Sequence, residues 1–185
     1  MAFAGPSLEA DLFLLHYAFA LGALPTLTAE PRRALVTQLA SQRGALADLT
    51  PALGAAIDRA LASAARGDLD ANALALTMRA AEAGTASGEP RAHGYFVAGL
   101  WFAFAMTMAA AQEPDLSFAA MAGPLARMFE EDAEFGGSDR QIAKALREAA
   151  RLGAGAIVGQ THVDVDALKA VIRSVLAIKG DSGRR

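Results

Sequence analysis

The segment from Ala92 to Gln112 carries no formal charge, His93 aside, and this run constrains the fold more than any other feature of the chain. A helix that is apolar on every side belongs either in the middle of a protein core or across a membrane, and this one is long enough for both. The run is rich in alanine, and no cluster of Lys or Arg flanks it to set an orientation. We therefore favour a central core helix over about 91–112 above a membrane span.

Composition points to helices throughout. The chain contains 46 alanines but only 6% aromatic residues, and alanine is the best helix former. Its 185 residues suit one domain with a sizeable core. We predict an all-α, single-domain bundle of seven to eight helices over 1–180, around the central apolar helix, with a disordered tail at 181–185.

Start and stop signals place several helix ends. Thr50-Pro51 is a cap followed by proline at the first helical position, and Gly67 should end that helix. Asp164 or Asp166 should cap the last helix. With His162 the same aspartates could face one cation in an extended turn, but their positions fit helix caps better.

Two glycines are expected to interrupt helices. Gly123-Pro124 should kink or split the helix that Ser117 starts, because proline lacks a backbone N–H. Phe118, Met121, Leu125 and Met128 keep helical spacing across that break. The helix that Ser138 starts should end at Gly153, so 153–161 is predicted to be irregular and 156–158 briefly extended.

Charge and cysteine content exclude several classes of function. The net charge is −3, the pI is near 5.6, and no basic stripe could follow a phosphate backbone, so we expect no nucleic-acid partner. The absence of cysteine excludes disulfides and thiolate metal sites. Because Glu9 and Asp11 precede the first apolar stretch, the start does not resemble a signal peptide, and we expect a cytoplasmic protein.

No catalytic or metal-binding pattern stands out. The three histidines, His16, His93 and His162, form no pair at metal-ligand spacing. The sequence has no Gly-x-Ser-x-Gly motif, phosphate-binding glycine loop or dinucleotide fingerprint. We therefore predict no catalytic residue, metal or cofactor, although distant residues could still converge into an enzyme site.

An acidic cluster is the first candidate interaction surface. Its members are Glu130, Glu131, Asp132 and Glu134. Carboxylates near a helix C-terminus oppose the macrodipole, and glutamates four residues apart repel each other. Nearby arginines, a cation or a basic partner could compensate this conflict, and Arg127 and Arg140 could be sufficient. The default interpretation is a solvated acidic face, and a partner surface is the next.

Large apolar side chains suggest a second candidate site. An apolar ligand pocket between helices could be lined by Tyr17, His93, Phe96, Trp101 and Phe104. The simpler interpretation is that these few large residues fill the core.

Arg151-Leu152 followed by Gly159-Gln160-Thr161 resembles the C-terminal Arg-Leu and Gly-Gln-Thr segment of helical urease accessory proteins. The resemblance covers only this short stretch, with a longer intervening spacing here. The N-terminal proline-glycine segment of that family is not matched around Pro25. No functional residue is carried over from it.

These observations favour a non-enzymatic interaction, assembly or accessory protein that binds a protein partner or itself, most simply as an oligomer. Abundant apolar helical surface and the acidic cluster support this hypothesis. The alternative is a binder of a hydrophobic small molecule in an apolar pocket between helices.

Overall fold

Helices account for the whole described chain apart from short turns. The structure is a computed structural model that describes residues 8–47, 49–68, 71–85, 90–111, 117–131, 137–158 and 164–178, and these contain no strand. The all-α prediction is confirmed. The helices are α1 (Leu8–Ala23), α2 (Ala29–Gln42), α3 (Pro51–Arg66), α4 (Ala71–Thr85), α5 (Pro90–Ala109), α6 (Ala122–Glu130), α7 (Gly137–Ile157) and α8 (Val165–Leu176). Short 3-10 helices cover Leu24–Thr26, Arg43–Leu46 and Ser117–Met121.

Three predicted helix ends are found in the structure, two at polar caps and one at a glycine. The Thr50 hydroxyl accepts a hydrogen bond from the Leu53 N–H at 3.4 Å, and the Asp164 carboxylate accepts one from the Ala167 N–H at 2.9 Å. Gly67 ends α3 with φ at 85°, in the left-handed region that glycine adopts without strain. These three predictions are confirmed.

The chain divides into two units, and the boundary lies inside α5. The first unit is Met1–Ala103 and the second is Phe104–Arg185. The first contains α1–α4 and α5 as far as Ala103; the second contains the end of α5 and α6–α8. The single domain over 1–180 stays a prediction, and the tail at 181–185 lies outside the described residues.

In the first unit α1 and α5 cross at glycines. A β-carbon on Gly99 would lie 2.8 Å from the Ala18 β-carbon and would also collide with the Leu15 carbonyl oxygen. One on Gly22 would lie 2.5 Å from the Ala103 β-carbon. The two helices therefore approach more closely than larger side chains allow, which fits the low aromatic content of the chain. The fully buried side chains of this unit include those of Leu21, Leu53, Ile57, Tyr95, Leu100 and Phe102.

The predicted range of the central helix is about 91–112. The observed helix α5 begins one residue earlier, at Pro90, and ends three residues earlier, at Ala109. Among the described helices it is the one long and apolar enough to cross a bilayer, and 72% of the residues in its apolar window are buried inside the protein. This extensive burial explains why the run carries almost no charge.

The second unit is built on α7. Ile142, Leu146 and Ala149 are fully buried along one side of it. The prediction that α7 ends at Gly153 is wrong: the helix continues to Ile157, and 156–158 is not extended. Gly153 is buried against the backbone of Ala119 and Ala120, so it permits a close approach instead of terminating the helix.

The Gly123-Pro124 break takes the form of a change in helix type. The chain is a 3-10 helix over Ser117–Met121 and becomes α-helical at Ala122, so Pro124 falls in the first turn of α6. Its missing N–H has no intrahelical partner at that position, and the proline is tolerated there. The buried face of α6 consists of Ala122, Leu125, Ala126 and Phe129.

Candidate interaction surface

Exposed apolar residues lie just before α6 and along it. Met121 is 72% exposed, Met128 is 38% exposed, and Pro124 between them is also exposed. Met121 is the last residue of the preceding 3-10 helix and the residue just before α6, and Pro124 and Met128 follow three and seven positions later. Residues at this helical spacing share one face, here over about 10 Å. We call Met121, Pro124 and Met128 the methionine stripe.

The stripe differs from what the sequence spacing suggests. Phe118, Met121, Leu125 and Met128 follow a common helical period, but only Leu125 belongs to the buried face of α6. The reason is that α6 packs on α7 through the Leu125 and Phe129 side, which leaves both methionines pointing away. An exposed apolar face and a buried apolar face of a short helix have the same sequence pattern, so the sequence alone does not tell them apart.

The acidic cluster is only partly described. Asp132 and Glu134 lie outside the described residues, while Glu130 and Glu131 are exposed at the end of α6. Arg147 on α7 donates from Nε to Glu130 Oε1 at 2.9 Å and from Nη2 to Glu130 Oε2, a bidentate ion pair. This hydrogen bonding lowers the pKa of the Glu130 carboxyl, and Arg127 adds a smaller electrostatic contribution.

Sequence reasoning missed Arg147 as the partner of Glu130. Arg127 and Arg140 are nearer in sequence, but α7 returns alongside α6 and brings Arg147 to the carboxylate, 17 positions away. No local spacing rule indicates such a contact, because the antiparallel packing of the two helices creates it.

A groove of about 280 Å³ lies between α7 and α8. Ala145, Val171, Val175 and Ile178 contribute apolar side chains, and Gln141, Lys144, Glu148 and Ser174 contribute polar ones. Glu148 is engaged by Arg151, whose hydrogen bond lowers the pKa of the Glu148 carboxyl. The end of α7 is also apolar and exposed, with Ile157 at 63% and Val158 at 79%.

The predicted apolar pocket residues are distributed over both units. Tyr17, His93, Phe96 and Trp101 are buried in the first unit, and Phe104 begins the second. The Phe104 ring packs edge-on against Phe118, with 5.2 Å between ring centroids. The pocket stays a prediction.

Within the first unit, two of these residues have defined polar surroundings. The Tyr17 hydroxyl donates to the Leu39 carbonyl at 3.2 Å, and burial raises the pKa of Tyr17 to about 12. A β-carbon on Gly84 would lie 2.8 Å from His93 Nε2 and 3.1 Å from Thr50 Oγ1. The absence of a side chain at Gly84 thus makes room for a buried imidazole beside the cap of α3.

A buried ion pair that the sequence did not indicate also lies in the first unit. Arg91 Nε donates to Asp11 Oδ2 at 2.7 Å, and the Arg91 guanidinium lies 5.8 Å from the centre of the Tyr95 ring. Asp11 sits in an early turn of α1, where a carboxylate near the N-terminus is expected on grounds of the helix dipole alone.

In the residues that the structure describes, no group of three or more His, Cys, Asp or Glu side chains is placed to hold a metal ion. Asp164 acts as the cap of α8, and His162 lies outside the described residues. Gly159, Gln160 and Thr161, which carry the resemblance to urease accessory proteins, also lie outside them.

Comparison with known proteins gives no match: no family model, no curated protein and no solved structure matches this chain.

Proposed function

We propose that this chain is a non-enzymatic assembly protein that binds a second copy of itself through the methionine stripe of its second unit. The observation that carries the proposal is the exposure of Met121, just before α6, and of Met128, seven positions later in α6, at a spacing that places both on one face. Isolated exposed apolar residues are common on proteins, but a line of three along one helix is typical of a surface that another helix covers. Methionine suits such a surface because its flexible thioether side chain adapts to its partner.

The spacing of the stripe fits a symmetric pairing. If two copies of α6 run antiparallel across a two-fold axis near Pro124, Met121 of each copy meets Met128 of the other. This is the isologous arrangement, in which the same patch serves both partners. Arg127 and Glu131 are exposed beside the stripe and supply charges of both signs at its rim.

The size of the stripe sets the expected strength. Three side chains cover much less than the roughly 800 Å² per partner that a stable interface buries. Self-association should therefore be weak and should increase with concentration. The exposed Ile157 and Val158 of the same unit provide further apolar area that a partner protein could cover.

Sedimentation velocity over a range of protein concentrations tests the proposal. The double variant Met121→Lys, Met128→Lys should sediment as a monomer at concentrations where the unmodified protein associates, because each buried lysine charge would lack a partner. Leu76→Lys is the matched control, since Leu76 is 57% exposed on α4 in the first unit. If the control abolishes association as completely as the double variant does, the stripe is not the interface.

A further inference from the structure

Three arginines line one notch between the start of α2 and the end of α3. The notch has a volume of about 250 Å³, and its walls are formed by Arg32, Arg33 and Arg66 with Ala29, Ala64, Ala65 and Gly67. Among the described residues that line the notch there is no carboxylate, and the uncharged ones are small. We call this feature the arginine notch.

All three guanidinium groups donate hydrogen bonds to protein oxygens. Arg32 donates from Nε to the Leu24 carbonyl at 3.1 Å and from Nη2 to the carbonyls of Leu27 at 2.6 Å and Pro25 at 3.4 Å. Arg33 and Arg66 are held through Nε alone among the described contacts, by the Ala29 carbonyl at 3.4 Å and by Asp68 at 3.2 Å. Since a guanidinium has five N–H donors, the Nη groups of Arg33 and Arg66 keep their hydrogen-bonding capacity.

The charges around the notch favour an anion. Asp68 pairs with Arg66, and Glu30, in the first turn of α2, is not among the residues that line the notch. The three arginines and Asp68 together leave an excess of two positive charges at the notch, although the whole chain has a net charge of −3. Planar guanidinium groups bind tetrahedral oxyanions through paired N–H donors, which distinguishes them from lysine.

We infer that the arginine notch binds the phosphate group of a small phosphorylated molecule. A liquid water occupies about 30 Å³, so the notch has room for about eight waters, enough for a phosphate and a few further atoms. Ala29, the first residue of α2, is among the lining residues, so the partial positive charge of this helix N-terminus lies at the notch and adds to the attraction. This inference does not depend on self-association.

Isothermal titration at constant ionic strength tests the inference, with inorganic phosphate and glycerol 3-phosphate as the two probes. The unmodified protein should bind at least one of them saturably. Arg33→Gln and Arg66→Gln should each weaken binding about tenfold or more, because each removes charged hydrogen bonds to the phosphate. Arg32 is left in place because its side chain also holds the carbonyls of Leu24 and Leu27.

Arg59→Gln is the matched control, since it removes the same charge from an exposed position on α3 outside the notch. Tighter binding of the monoester would identify a phosphorylated small molecule as the ligand, and equal binding would identify the phosphate group alone as what is recognised. The inference is overturned if neither probe binds, or if Arg59→Gln weakens binding as much as the two notch variants do. In the latter case the probes respond only to the overall charge of the protein.

Discussion

Arg91 Nε and Asp11 Oδ2 lie 2.7 Å apart although the two residues are 80 positions apart in the chain, and the Asp11 side chain is only 1% exposed. This ion pair joins the first turns of α1 to the start of the apolar helix α5. A carboxylate at that depth depends on its cation, because the loss of one partner from a buried pair costs far more than the loss of a surface pair.

Arg91→Met should therefore lower the free energy of unfolding by about 3 kcal/mol, near the lower end of the range for buried pairs because Arg91 itself is 24% exposed. Urea denaturation measures the change. Arg151→Met serves as the control, since its pair with Glu148 is exposed on both sides and should contribute less than about 1 kcal/mol. Equal losses in the two variants would show that burial of Asp11 adds nothing.

The close approach of α1 and α5 predicts that replacing Gly99 by a larger residue lowers stability. Gly99→Ala should destabilise the protein by about 1–3 kcal/mol, because the added methyl group meets the Leu15 backbone, which cannot rotate away as a side chain can. Gly44→Ala is the matched control, because the methyl group that it adds would meet no other part of the described chain within 4 Å. This substitution should be neutral or slightly stabilising. Thermal unfolding of the two variants decides between crowding and a general effect of glycine replacement.

The residues before α8 and α2 predict losses of different size for two similar substitutions. Asp164→Ala should cost about 1 kcal/mol because the carboxylate accepts a hydrogen bond from the Ala167 N–H. Thr28→Ala should cost much less, since Thr28 occupies the same position before α2 without forming a side-chain hydrogen bond. Denaturation midpoints of both variants check this difference, and a larger loss for Thr28→Ala would contradict it.

The Glu130–Arg147 pair predicts a pH dependence with a definite sign. Since Arg147 lowers the pKa of Glu130 in the folded protein, the pair stabilises the fold above the ordinary glutamate pKa, and this contribution is lost as the pH falls through the lowered value. In Arg147→Met the pKa of Glu130 should rise towards the ordinary value. Carboxyl carbon NMR titration measures it, and an unchanged pKa would mean that the pair does not form in solution.

Local sequence signals predicted the helices well because the causes of helix ends are themselves local. Thr50, Asp164 and Gly67 act through hydrogen bonds or backbone freedom within one turn, so a few residues suffice to recognise them. The sequence wrongly predicts a helix end at Gly153, because a glycine at a helix end and a glycine at a close helix contact cannot be distinguished until the opposite surface is known.

The candidate surfaces could be predicted only in part, for the same reason. Glu130 was identified from its charge, but its partner Arg147 is set by the return of α7 alongside α6. Met121 and Met128 follow the helical period of a buried face, and only the packing of Leu125 and Phe129 reveals that they point outward. The arginine notch combines residues from α2 and α3 that no sequence spacing links.

The most direct test of assembly through the methionine stripe is native mass spectrometry of the untagged protein over a range of concentrations. The chain has a mass of 19.1 kDa, and we expect a two-copy species that grows with concentration and disappears in Met121→Lys, Met128→Lys. A single 19.1 kDa species at every concentration, in the unmodified protein and the variant alike, would contradict self-association.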